Sequence, residues 1–108
     1  MNRISITLNS NCDRPKRAHD YLRDTLIYHF GGVSISENIG YWRNDSGRLY
    51  EDTNFVYTSY NTDGRDILKI DIEILLDTTL AVSGEECIFY DIDGIGHIYC
   101  RDSEVIGI

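Results

Sequence analysis

Proline is almost missing from this sequence: Pro15 is the only one among 108 residues. There is no low-complexity stretch, internal repeat or linker, so the chain reads as one domain, residues 1–108. Basic residues are also scarce, 10 against 18 acidic ones, for a net charge of -8. Such a chain is repelled by phosphate backbones, which argues against direct nucleic-acid binding. No apolar run approaches the roughly 20 residues a membrane-spanning helix needs. The start, Met1 to Ile6, alternates like a strand and lacks the core of a signal peptide. The expectation is a cytoplasmic protein without a membrane partner.

Cysteine is limited to Cys12, Cys87 and Cys100, with no C-x-x-C spacing. An odd count without that spacing argues against a secreted disulfide framework and a zinc ribbon. The three histidines have no ligand spacing such as H-x-x-x-H. There is no Walker loop, G-x-G-x-x-G or G-x-S-x-G. Glu51-Asp52 and Glu85-Glu86 are adjacent in sequence, so in a strand each pair points to opposite faces and forms no acid–base couple by itself. The expectations are no catalytic residues, no metal site, no cofactor and no enzymatic activity.

What remains is regular patterning. Ile4, Ile6 and Leu8 alternate with polar residues, giving a strand over 3–9. Pro15 fits a first helical turn, where its missing N–H costs nothing. Ala18, Tyr21, Leu22, Thr25, Leu26 and His29 share one stripe, and Gly31-Gly32 ends the helix near Phe30. Val33 to Ser36 reads as a short strand. Asn44-Asp45-Ser46-Gly47 predicts a type I turn with a glycine bulge, pairing Trp42 with Tyr50 and Tyr41 with Glu51. A further strand covers 55–60. A second helix is expected from about Arg65 to Val82, capped by Asp63 and stopped by Gly84. Residues 68–74 also alternate as a strand would, but the polar stripe Asp66, Lys69, Glu73, Asp77 favours the helix.

Asp93-Gly94 between apolar runs predicts a two-residue type I′ hairpin with Tyr90 facing His97, Phe89 facing Ile98 and Cys87 facing Cys100. Residues 91–102 partly match a calcium loop, but Ile95 removes a ligand and Asp102 replaces the bidentate glutamate. The hairpin is the stronger reading. The facing cysteines are expected to be two reduced, packed thiols. The whole order is β-α-β-β-β-α-β-β: an α+β fold, a ferredoxin-like variant, with an antiparallel or mixed sheet and two helices on one face.

The strand and helix followed by Phe30-Gly31-Gly32, Gly40-x-Trp42, Gly47 and Glu51 resemble a family of small uncharacterised bacterial and phage proteins with a ferredoxin-like α+β fold, over roughly residues 3–82. The resemblance implies a small accessory protein of bacterial or phage origin. Among such acidic phage proteins, inhibitors of host defence, anti-CRISPR-like in manner, are common. The leading expectation is therefore a non-enzymatic binding protein that engages a basic surface of a host protein. Tyr41, Trp42, Arg43, Asp45, Arg48, Tyr50, Glu51 and Asp52 would supply aromatic anchors and a charged rim. The alternative is an oligomeric small-molecule binder that sequesters a nucleotide signal, with rings stacking a base and Arg43 and Arg48 holding phosphates.

Overall fold

Ile4, Ile6 and Leu8 point inward from the middle of the sheet, and all three are buried. The strand that carries them, β1 (Arg3–Asn9), is the central one. The computed structural model describes residues 1–101, and its elements follow in the order β1, α1 (Pro15–Phe30), β2 (Ser34–Arg43), β3 (Leu49–Tyr60), α2 (Lys69–Ser83), β4 (Cys87–Ile92) and β5 (Ile95–Cys100). The sheet runs β2-β3-β1-β4-β5, and all four pairings are antiparallel.

Both helices cover one face. Ala18, Leu22, Leu26 and Phe30 of α1 and Ile72, Leu75, Leu76 and Leu80 of α2 join β1, Tyr57 and Ile88 in one buried cluster. At about 25 cal/mol per Å2 of apolar surface removed from water, this cluster is the main stabilising term. Each helix ends on a glycine in the left-handed region: Gly31 (φ 87°) and Gly84 (φ 76°). Their N–H groups return to Ile27 and Leu80 carbonyls, which satisfies orphan acceptors of the last turn.

The fold class matches the sequence reading, with one strand fewer. The expected short strand at 33–36 is the beginning of β2. Ten rungs run without interruption from Ser34–Thr58 to Arg43–Leu49. No proline or turn signal lies between Ser36 and Gly40 to break them. The second helix also starts later than expected, at Lys69, with Leu68 rather than Asp63 at the cap. Asn61 explains the delay. Its side chain accepts from Arg65 N (2.9 Å) and donates to Arg65 O (2.7 Å), so 61–65 is held as a loop.

The last hairpin forms in the expected register, with Asp93 (φ 54°) and Gly94 (φ 86°) in its turn. The carboxylates of the calcium-loop pattern are engaged elsewhere. Asp93 accepts from Asn2 and Arg3 N–H groups at 2.8 and 2.9 Å, and Asp91 pairs with Arg3 at 3.2 Å. The pattern's twelfth position, Asp102, lies outside the described residues. Cys87 and Cys100 are joined by a disulfide, which corrects the expectation of free thiols. Their non-hydrogen-bonded facing position brings the side chains close enough to bond.

Candidate functional site

The β2–β3 hairpin carries every residue singled out in the sequence as a binding candidate. Its turn is built by Asn44. The Asn44 carboxamide oxygen accepts from Ser46 N–H, Ser46 Oγ–H and Arg48 N–H at 3.1, 2.8 and 2.9 Å. Gly47 takes φ 85°, the bulge conformation. The resulting register pairs Trp42 with Tyr50 and Tyr41 with Glu51, as expected.

Alternation then sorts the rings. Tyr57 faces the helices, so β3 residues at odd positions and their partners lie on that side, and even positions lie on the open side. Trp42 and Tyr50 face away from the helices. Their rings stack at 4.5 Å and 13°, and the Arg48 guanidinium lies 5.1 Å over Tyr50. Trp42 Nε1–H donates to Asp52 at 2.7 Å, which fixes the indole in its plane. Trp42 is still 50% exposed, so it keeps an open ring surface. Tyr41, on the helix side, lies opposite Glu51, and that carboxylate pushes the phenol pKa up. Arg43 donates to Gly47 O at 3.0 Å, and Asp45 is exposed at the turn. The eight candidates thus split into a platform of Trp42, Arg48, Tyr50 and Asp52, and a second group of Tyr41, Arg43, Asp45 and Glu51.

The open side continues from the platform along the sheet. Gly40 pairs with Asp52, Asn38 with Asn54, and Asn54 with Asn9. A Cβ on Gly40 would come within 3.0 Å of Asn54 Nδ2, so glycine lets that amide lie across the strand. Beyond it is a cavity of about 280 Å3 lined by Thr7, Leu8, Asn9, Asn54, Glu85, Cys87, Ile88 and Phe89. Burial raises the Glu85 pKa, and Asp13 and Asp52 raise it further.

Two groups lie outside what the sequence indicated. Tyr57 is fully buried, and its hydroxyl meets His19 Nδ1 at 2.9 Å. Burial raises the Tyr57 pKa to about 12, with Cys12 and Asp20 adding to the effect. The alternation of β3 puts Tyr57 on one face with Phe55, but only the packing of α1 makes that face the inner one and brings His19 to it. A cavity of about 430 Å3 lies at the opposite end of the hairpin strands, against Gly31, Gly32, Ser59 and Asp63. Cys12 is buried and its pKa is raised, chiefly by desolvation, the opposite of a thiolate nucleophile. Among the described residues, no group of three or more His, Cys, Asp or Glu is placed to hold a metal, and no helix is long and apolar enough to cross a membrane.

The strand order β2-β3-β1-β4 with two helices on one face defines a ferredoxin-like α+β domain, here extended by β5. This fold is shared with solved structures of low sequence identity. A phage SAM lyase in complex with S-methyl-5'-thioadenosine superposes with a TM-score of 0.64 at 13% identity, over 94% of this chain and 91% of that one. The periplasmic divalent cation tolerance protein CutA from Archaeoglobus fulgidus gives 0.54 at 13% identity, over 96% and 86%. A CutA1 from Pyrococcus horikoshii OT3 gives 0.52 at 10% identity, over 96% and 86%. No protein-family model and no curated protein sequence matches the chain.

Proposed function

We propose that this protein binds a small nucleoside-type ligand, with the flat base stacked on the open surface of Trp42. The observation that carries the reading is the fixed row of Trp42, Tyr50 and Arg48, with Asp52 on the indole nitrogen. An indole already held in one orientation loses little freedom when a base stacks on it. The rest of the ligand would run along Gly40 and Asn54 toward the cavity beside Glu85. The likeness in fold to a phage enzyme solved with S-methyl-5'-thioadenosine supports a nucleoside over other small molecules. The proposal is binding without turnover, as for a protein that sequesters a nucleotide-derived signal. It includes association of copies. Among the described residues no strand pairs with the outer edge of β2, and the exposed Ile39, Tyr41 and Leu49 beside it offer apolar surface.

The test is calorimetric titration with S-methyl-5'-thioadenosine, adenosine monophosphate and S-adenosylmethionine, with native mass spectrometry for oligomers. Trp42→Ala should weaken the ligand that binds by about tenfold or more, the scale of one base–aromatic stack. Absence of binding by all three overturns the reading. Incubation with S-adenosylmethionine should leave it no less stable than in protein-free buffer; faster breakdown would make the protein an enzyme.

A second reading keeps the same hairpin as a protein-binding surface, in a member of the small phage and bacterial family that its motifs resemble. The net charge of -8, with Asp45, Glu51 and Asp52 around the rings, favours a host partner with a basic surface, such as a component of a defence system. A partner captured in that way should be released by raised salt, and by Trp42→Ala.

A further inference from the structure

The β4–β5 hairpin has a chemical link to which neither proposed function gives a part, although Cys87 also lines the cavity beside Glu85. Cys87 and Cys100 are both exposed and bonded across the open end of the hairpin, 13 residues apart. Among the described residues β5 is an edge strand, and its backbone pairs with β4 alone. It buries little: Ile95 and Ile98 are 66% and 72% exposed. The residue after Cys100 does the anchoring. Arg101 N–H donates to Glu86 O at 2.7 Å, and its guanidinium donates to Leu80 O at 2.7 Å and Glu85 O at 3.1 Å. Those carbonyls belong to the last turn of α2 and the connection to β4. The Tyr99 hydroxyl also donates to Asp77 at 2.7 Å.

We propose that Cys87–Cys100 is a redox clip, which holds the end of β5 and the Arg101 anchor on α2 when oxidised and releases them when reduced. The physical reasons are position and access. A cross-link at the open end of a hairpin opposes fraying of that end, and an exposed disulfide is reachable by an attacking thiolate. Cys12, the third cysteine, is buried and cannot serve as a resolving thiol within the chain. The reductant is therefore an external dithiol. Its thiolate attacks one sulfur, forming a mixed disulfide and expelling the other cysteine as a thiolate that takes up a proton. Its second thiol then displaces the first cysteine and closes the reductant's own disulfide. Two electrons and two protons end on Cys87 and Cys100. Reducing and oxidising compartments would hold the clip in opposite states.

The experiment is hydrogen-exchange mass spectrometry on the full chain, oxidised with diamide or reduced with dithiothreitol, with thiols counted after denaturation. The expected count rises from one to three on reduction. Amides of 95–101 should then exchange about tenfold faster or more, with those of β1 and β3 unchanged. The double variant Cys87→Ser/Cys100→Ser should match the reduced protein and ignore dithiothreitol. Three free thiols after diamide, or unchanged exchange in 95–101 after full reduction, would overturn the proposal. So would equal acceleration throughout the chain, since the bond would then staple the whole fold rather than clip one strand.

Discussion

Tyr57 shows how one side chain combines two demands. Its ring fills the centre of the core under α1, and its hydroxyl needs a partner there, which His19 supplies. Because burial raises its pKa to about 12, the folded protein keeps the phenol neutral where an unfolded chain would already ionise it, near pH 10. The unfolded state then binds fewer protons, so stability present at neutral pH is lost as pH rises from about 10 toward 12. Spectrophotometric titration should show one tyrosine that resists ionisation until the protein unfolds. Tyr57→Phe should remove that signal at a stability cost of about 1 kcal/mol, the net value of one hydrogen bond. Strand alternation grouped Tyr57 with Phe55 on one face without saying that this face is the covered one. Its partner was not readable either, since His19 lies 38 residues away and no local pattern couples the two.

At the scale of the element, the β2–β3 hairpin was the most legible part of the candidate site. A four-residue turn with glycine at the left-handed position sets the register, and the register sets which residues stack. Asn44 is the residue that holds the turn, through three hydrogen bonds accepted by one oxygen. Asn44→Ala should cost about 1 kcal/mol and weaken the near-ultraviolet circular dichroism of the Trp42–Tyr50 pair. An unchanged spectrum would place the control of the stack in the strands alone. Other element boundaries escaped the sequence because they depend on particular hydrogen-bond partners rather than on hydrophobic period. β2 is continuous since β3 offers ten rungs for it. α2 starts late because Asn61 holds Arg65 in a loop, while Arg65 also reaches the His29 carbonyl at the end of α1.

The whole molecule carries a net charge of -8 on a small sheet-and-helix layer pair. Like charges on so small a surface repel each other, and salt screens that repulsion. Raising salt from about 20 to 500 mM, from a Debye length near 20 Å to one near 4 Å, should therefore raise the thermal midpoint. A fall would mean that ion pairs such as Arg3–Asp91 outweigh the repulsion. By itself the sequence determined the local terms: the strand and helix periods, the glycine stops, both hairpin turns and their registers. Each of these depends on residues within one or two turns of each other. The tertiary structure decided which face of each strand meets the helices. It thereby set Trp42 and Tyr50 on the open side and sank Cys12 and Tyr57. Those outcomes depend on which distant segments pack together, and a period of two names two faces without saying which one is covered.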